Sequence, residues 1–414
     1  MKNGWDWSTI GECCELTSGG TPSKQNASFW NGDVPFVSAR DLKSDQIETA
    51  FLHISREAVE QSATKLAPVG SLLMLVRGMG LANGIQIGEV TSPVAFNQDI
   101  RAILPPKALV VPRFLLLALK SSFMQGEGER VLSSAAHGTL KIDTDALRRI
   151  AFPVPPLAEQ RRIVGILDEA FEGLATAKAN AEQNLQNARA LFESHLQAVF
   201  TQRGHGWVEK SVGELVAEGV LVKPFDGNHG EIHPRKADYT DSGVPFIMAC
   251  DLQDGSVDTE NCTFISRKLA DSLRVGFAKD GDVVISHKGT IGRSAIVRTA
   301  DDYIMLTPQV TGYRVKNASK LFNRFVRFYF MSPLFQREMI AGAADGSTRA
   351  YIGITKQLSL RFRFPLLADQ KRIAAKLDVL DRETQRLESL YQRKLAALDE
   401  LKKSLLHRAF SGQL

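Results

Sequence analysis

The strongest constraint on this chain is that it repeats itself, a property to be sought before any local pattern. Residues Phe152 to Phe200 align with Phe362 to Phe410 at a constant offset of 210, 49 residues without insertion, of which 14 are identical. The best-matched stretch is Phe152-Pro-Val-Pro-Pro-Leu-Ala-Glu-Gln-Arg-Arg-Ile163 against Phe362-Arg-Phe-Pro-Leu-Leu-Ala-Asp-Gln-Lys-Arg-Ile373. Looser matches join Trp5 through Glu12 to Trp207 through Glu214, Val34-Pro-Phe36 to Val244-Pro-Phe246 and Asp41-Leu42 to Asp251-Leu252. Further along, Gly70 matches Gly281, Arg77-Gly78 matches Lys288-Gly289, Gln98 matches Gln309, and Ala135-Ala-His-Gly-Thr139 matches Ala343-Ala-Asp-Gly-Ser347. The order is domain, helix, domain, helix, with expected boundaries 1–151, 152–203, 204–361 and 362–414. The helices keep strict register while the globular parts diverge, so the helices do one job twice and the globular parts do one kind of job on different targets.

From Leu157 to about Phe200 and from Leu367 to about Phe410 there is no proline, and the only glycines are Gly165 and Gly173, which can loosen the first helix. Proline before each stretch fixes where a helix begins, and Gly204 and Gly412 lie beyond the ends. In the second copy Ile373, Leu377, Leu380, Thr384, Leu387, Tyr391, Lys394, Leu398, Leu401 and Leu405 step by four and three, a heptad seam. The first copy places Ile163, Leu167, Ala170, Leu174, Ala177, Ala181, Asn184, Ala188, Leu191 and His195 there. We expect the copies to pair antiparallel through Leu167, Leu174, Ala181 and Leu191 and through Leu377, Leu387, Leu398 and Leu405, with one polar layer near Asn184 and Lys394. Ile166, Phe171, Leu185, Phe192, Leu196 and Val199 are then left on outer faces for partner helices. At 1.5 Å per residue each rod is roughly 65 Å long, a spacer able to hold two half-sites of B-DNA about 34–36 Å apart. A plain dimerisation stalk is the competing reading.

The globular parts read as α/β mixtures rich in short strands. Ser71 to Val76 and Asp282 to Ser286 are strand-like and each leads to a basic residue with glycine, while helices fit Pro112 to Ser121 and Lys320 to Met331. Arg77 and Lys288 suit a phosphate or a guanine edge, Gln98 and Gln309 an adenine. The loops His137-Gly-Thr-Leu-Lys141 and Asp345-Gly-Ser-Thr-Arg349 combine small residues with a base, as close approach to a phosphate backbone requires. Lys24, Arg40, Lys43, His229, Arg235, Lys236 and Arg293 complete the DNA-binding candidates as basic or polar residues in loops. Each of these, taken singly, also fits a solvated loop.

Enzyme and metal signatures are missing. Gly78-Met-Gly-Leu-Ala-Asn-Gly84 imitates a nucleotide loop, but Ile85 to Val90 after it reads as strand where a phosphate loop needs a helix. There is no GxxxxGK[ST], HExxH, GxSxG or adenine-methyltransferase Asn-Pro-Pro-Tyr motif. His229 and His233 are parted by Gly230 and followed by Pro234, which disfavours a shared helix face around a metal. Asp41 and Asp251, an acid matched between the globular parts, read as loop caps. Cys13, Cys14, Cys250 and Cys262 form no CxxC pair and read as structural. The 51 Lys and Arg against 46 acidic residues give a net charge of +5, which permits a polyanionic partner without demanding one. No run reaches roughly 18 apolar residues, so neither a membrane span nor a leader is read and the cytoplasm is the expected compartment.

Pro155 to Ile163, its second copy Pro365 to Ile373 and the terminal Ala409-Phe-Ser-Gly-Gln-Leu414 resemble the sequences at the helix starts and the tail of specificity subunits of type I restriction-modification enzymes. The resemblance covers the whole chain, departing where Arg363 and Phe364 stand in place of Pro153 and Val154. It implies an α/β (α+β) fold: two globular target-recognition domains alternating with two long antiparallel coiled-coil helices, related by a pseudo-twofold internal repeat. It also implies a non-catalytic, cytoplasmic DNA-recognition subunit that reads a split double-stranded target, one domain per half-site. Two adenine methyltransferase subunits and motor-nuclease subunits would assemble on it. S-adenosylmethionine, ATP and magnesium would belong to those partners, with no cofactor or metal on this chain. A stand-alone two-headed DNA-binding regulator or scaffold is the alternative, and a nuclease would need a carboxylate or histidine constellation in both copies.

Overall fold

The structure, a computed structural model, describes residues 5–134, 139–202, 206–229, 232–253, 255–288, 290–343 and 351–414. It divides into two compact units, residues 1–181 with 394–414 and residues 182–393, so each unit takes the first half of one long helix and the second half of the other.

In the first unit a five-stranded sheet runs in the order Glu15–Ser18, Ile100–Leu104, Leu72–Leu75, Ile87–Val90, Gln46–Ile47. Its middle strand is fully buried, which is why it reads as an unbroken apolar run rather than an alternation. A four-stranded sheet, Leu52–Ile54, Val34–Val37, Val94–Phe96, Lys65–Ala67, completes the sheet core. The second unit repeats the plan with Leu252–Gln253, Ser256–Val257, Ser294–Ile296, Val283–Ser286, Val310–Tyr313 in one sheet and Tyr239–Thr240, Thr263–Ile265, Val244–Ile247, Ile304–Leu306, Phe277–Ala278 in the other. Asp41 and Asp251 each cap a short turn, accepting from the backbone N–H of Ser38 (2.8 Å) and Met248 (2.7 Å).

The two long helices are Leu157–Thr201 and Leu367–Phe410, and Gly165 and Gly173 lie within the unbroken first of these. Each joins its sheet domain through a short helix, Pro112–Ser122 in the first unit and Asn323–Met331 in the second. The joint is a buried glutamine. Gln160 donates to the carbonyls of Leu109 (2.8 Å) and Pro155 (2.7 Å) and accepts from Val111 N–H (2.8 Å). Gln370 does the same with Lys320 (2.9 Å), Pro365 (2.9 Å) and Phe322 (2.9 Å). Beside it an arginine of the short helix pairs with an aspartate about two helical turns along: Arg113 with Asp168 at 2.7 Å, Arg324 with Asp378 at 2.9 Å. The matched Pro-x-Leu-Ala-x-Gln stretches are therefore joints between a helix and a domain, with satisfied backbone groups as their reason.

Within each unit the helix halves run antiparallel, with Lys178 beside Asp399 (3.0 Å) in the first and Arg189 beside Glu388 (3.2 Å) in the second. Ile163 and Leu167 are buried with Leu406 and Ala409, and Phe192, Leu196 and Phe200 share the second unit's core with Ala374 and Leu377. The seam departs from the heptad expectation. Leu191 is 62% exposed and Leu387 38% exposed, and Asn184 and Lys394 face solvent rather than forming a polar layer. Phe192 and Leu196, assigned by the heptad to an outer face, are buried instead, and Phe171, Leu185 and Val199 are half-buried. An ideal helix drifts roughly 20° per heptad from a 3.5-residue repeat, so over several heptads the buried face moves by about one residue. Ala181, before the shift, is buried, and Leu174, Leu398 and Leu405 are half-buried.

Among the described residues no helix is long and apolar enough to cross a membrane.

Candidate nucleic-acid interface

In the first unit the chain runs two residues beyond the central strand Leu72–Leu75 to Arg77, whose backbone pairs with Lys141. Two hydrogen bonds fix this pairing, Gly78 N–H to Leu140 carbonyl (3.1 Å) and Ile142 N–H to Val76 carbonyl (2.9 Å). Val76 also donates to the carbonyl of Asp99 (2.8 Å), the residue after Gln98. Gln98 in turn accepts from the Thr21 hydroxyl. Thr21 is brought in by Gly19, where any Cβ would lie 2.3 Å from the Asn97 carbonyl oxygen; only glycine lets that strand end come so close. Arg77, Gln98 and Lys141 thus converge from three distant segments, with Arg77 and Gln98 exposed. Lys24, Arg40 and Lys43 are exposed on other segments, and among the described residues no hydrogen bond joins them to this cluster. Arg40 lies 4.1 Å over the ring of Phe51, which is 74% exposed.

The second unit builds the same cluster on different side chains. Lys288 pairs with Tyr351, Ile352 N–H donates to the His287 carbonyl (3.2 Å), and His287 N–H donates to the Gln309 carbonyl (2.9 Å). Lys288 Nζ sits 5.8 Å over the Tyr351 ring. Gly227 makes the close approach that Gly19 makes, 2.1 Å from the Leu306 carbonyl oxygen to a Cβ placed there. His229 follows it, as Thr21 follows Gly19, and one ring nitrogen lies 2.9 Å from Asp226 Oδ2. Arg293 is held at the far side of the Lys288 turn by Ser286, through its own N–H to Oγ (3.0 Å) and its carbonyl (2.8 Å). Arg235 and Lys236 are exposed on a separate short turn. His137 and Arg349 lie outside the described residues.

One pairing inferred from the sequence is out of register. The strand pairs Leu75 with Ile100 and Ser286 with Val310, so Gln309 occupies the place of Asp99, and Gln98 that of Pro308. The side chains at matching backbone positions therefore differ between the units, with Asp99 answering to Gln309 and Gln98 to Pro308.

Below the second cluster runs a buried polar chain that sequence reasoning missed. Tyr313 hydroxyl donates to Gln357 Oε1 (2.6 Å), Gln357 Nε2 to Thr311 Oγ1 (2.9 Å), and Thr311 Oγ1 meets His287 Nδ1 at 2.6 Å. Burial pushes the His287 imidazole down from 6.5 to about 4, against the pull of the Asp226 carboxylate, so it is neutral at neutral pH. Thr21, Asp226, His287 and Tyr351 carried no motif, and the signal beside two of them was a glycine, Gly19 and Gly227. Among the described residues no group of three or more His, Cys, Asp or Glu side chains could hold a metal. The cysteines are free thiols, and burial raises all four.

The cluster is thus built twice on a common backbone that carries different side chains. The Escherichia coli EcoR124I/EcoR124II type I restriction enzyme specificity subunit is 32% identical over 166 residues, 40% of this chain and 40% of that one. The MjaVIII specificity subunit of Methanocaldococcus jannaschii is 22% identical over 423 residues, 99% of this chain and 93% of that one. A solved chain from work on complex assembly and conformational transition of the type I R-M system superposes with a TM-score of 0.77 at 19% identity, over 100% of this chain and 99% of that one, a likeness of fold. The profile of the type I restriction modification DNA specificity domain matches residues 2–186 and 225–395, once for each unit's sheet domain and adjoining helix, and by that match over most of its length the chain belongs to the type I restriction-modification DNA specificity family.

Proposed function

We propose that the chain is the DNA-reading specificity subunit of a type I restriction-modification complex, each sheet domain reading one half of a split double-stranded target. The observation that carries this reading is the cluster built in both units on equivalent backbone, Arg77, Thr21 and Lys141 in one and Lys288, His229 and Tyr351 in the other, with Gln98 and Gln309 beside it one residue out of register. A common frame with different side chains is what two half-sites of unlike sequence require, because base edges are distinguished by donor and acceptor pattern. Lys24, Arg40, Lys43, Arg235, Lys236 and Arg293 then serve as flanking phosphate contacts, which position without specifying.

On this reading the chain is non-catalytic and cytoplasmic. Two adenine methyltransferase subunits supply S-adenosylmethionine chemistry and motor-nuclease subunits supply ATP- and magnesium-dependent cleavage. The fold's likeness to a chain from a study of type I complex assembly supports partners of this kind.

The test is co-expression with the host's adenine methyltransferase subunits, followed by single-molecule sequencing of methylated adenines. The expected result is a split motif with a constant gap, one half changing when residues 1–151 are exchanged for those of a relative and the other half changing when 204–361 are exchanged. Methylation indifferent to deletion of the chain would leave the stand-alone DNA-binding regulator or scaffold as the better reading.

A further inference from the structure

The joints between long helix and sheet domain share their glutamine and their Arg–Asp pair, yet the side chains next to them reverse in charge. In the first unit Asp45 pairs with Arg113 (3.6 Å) and with Lys120. Glu89 lies on the neighbouring strand beside Gln46, its carboxyl pushed up by burial while Arg113 draws it down. Glu172 stands one helical turn beyond Asp168. That neighbourhood carries more acid than base.

In the second unit the register places Gly255 and Ile296 where Asp45 and Glu89 stand, and Arg382 where Glu172 stands. Arg327 replaces Leu116 and is almost wholly buried, paired with Asp381 at 2.9 Å. A side chain at Gly255 would collide with it, the guanidinium lying 2.0 Å from the missing Cβ. The result is a recess of about 260 Å³ lined by Arg298, Arg324, Arg327 and Arg382 against Asp378 and Asp381. Among the described residues the Nε–H of buried Arg327 meets no acceptor. Arg298 faces Asp280 (3.6 Å), as Arg324 faces Asp378 and Arg327 faces Asp381, so the positive charge not matched by an aspartate among the described residues is that of Arg382, and with the buried donor of Arg327 it suits an anion.

We propose that this recess receives a carboxylate side chain of the methyltransferase subunit that assembles on the second unit, a proposal that rests on the specificity-subunit reading above. A single Glu or Asp side chain can enter between the arginines. Duplex DNA, with a charge for about every 1.7 Å of axis, would set several phosphates against Asp378 and Asp381 at once. Among the described residues the first unit shows no equivalent seat, so two copies of one methyltransferase subunit are held by unlike contacts, and the copy on the second unit depends on Arg382 and is the more sensitive to salt.

The test reads methyltransferase stoichiometry of the assembled complex by native mass spectrometry over a salt titration, for the wild type, Arg382→Glu and Arg382→Lys. Arg382 is exposed, so its substitution leaves the core untouched. The expected result is that Arg382→Glu weakens one of two copies at least tenfold, Arg382→Lys retains it, and Glu172→Arg in the first unit does not reproduce the loss. Two copies held with unchanged salt midpoints in Arg382→Glu would overturn the proposal. Intact stoichiometry with weaker DNA binding and a shallower salt dependence would also overturn it, assigning the recess to a DNA phosphate. If the wild-type chain assembles no methyltransferase, the specificity-subunit reading falls first and the recess proposal with it.

Discussion

The joints and the clusters at the strand ends answer differently to duplication. At the joints Gln160 and Gln370 make the same three hydrogen bonds with the same kinds of backbone atom. At the clusters only backbone pairing is common, and Arg77, Thr21 and Lys141 give way to Lys288, His229 and Tyr351. A difference of this kind separates what holds a domain on its helix from what the domain presents outward. One step inward from the joint the constancy already fails, since Leu116 and Phe171 occupy the positions of Arg327 and Asp381.

That last contrast is open to the strongest perturbation. Arg327→Ala takes the cationic partner from the Asp381 carboxylate in a largely buried site, leaving it the neutral donor Gln385 Nε2 at 3.2 Å, and we expect the second unit to lose about 3–5 kcal/mol in denaturant unfolding. Arg327→Leu combined with Asp381→Phe, which copies the first unit, should come within about 2 kcal/mol of wild type. If Arg327→Ala costs no more than a surface ion pair, the buried pair is not what distinguishes the units.

The next prediction concerns what they share. Gln160→Leu and Gln370→Leu each leave a backbone N–H and two carbonyls at the joint without their partner, and each should cost about 3 kcal/mol. Near-equal losses, read by hydrogen exchange of Val111 and Phe322 amides, sharpen the comparison. A loss confined to one unit breaks it.

The smallest effect belongs to pH. His287 is buried in the second unit, with its pKa lowered from 6.5 to about 4, while the first unit has Val76 at that place. The unfolded chain takes up the proton that the folded one refuses, so stability is complete above pH 6.5 and declines as pH falls toward 4. Between pH 7 and pH 5 the second unit should lose about 2 kcal/mol that the first does not. Urea unfolding of His287→Val at both pH values should show the slope removed; an unchanged slope would assign it elsewhere.

Much of this architecture was legible because it is local. Proline-free stretches with apolar steps of three and four announced both long helices, and the offset of 210 announced two copies. The buried face was not, because a heptad template cannot register the slow rotation that buries Phe192 and exposes Leu191. The site was half legible. Arg77, Gln98 and Lys141 could be named from loop position and repetition, but their convergence depends on pairings between residues 21, 77, 98 and 141, which no local pattern carries. His287 was hidden for another reason: it sits at the end of an apolar strand and is buried with it.

The glutamine joint has a consequence for how such chains change. Gln160 and Gln370 touch main-chain atoms of their domains, and the residues supplying those atoms, Leu109 and Val111 in one case and Lys320 and Phe322 in the other, have nothing in common as side chains. The latch recognises a backbone contour and is indifferent to the identity of what it closes on. A foreign domain that brings that contour, one arginine facing Asp168 or Asp378 and an apolar helix face like that of Phe114 and Leu117 or of Phe325 and Phe328 meets the handle on the terms it already offers.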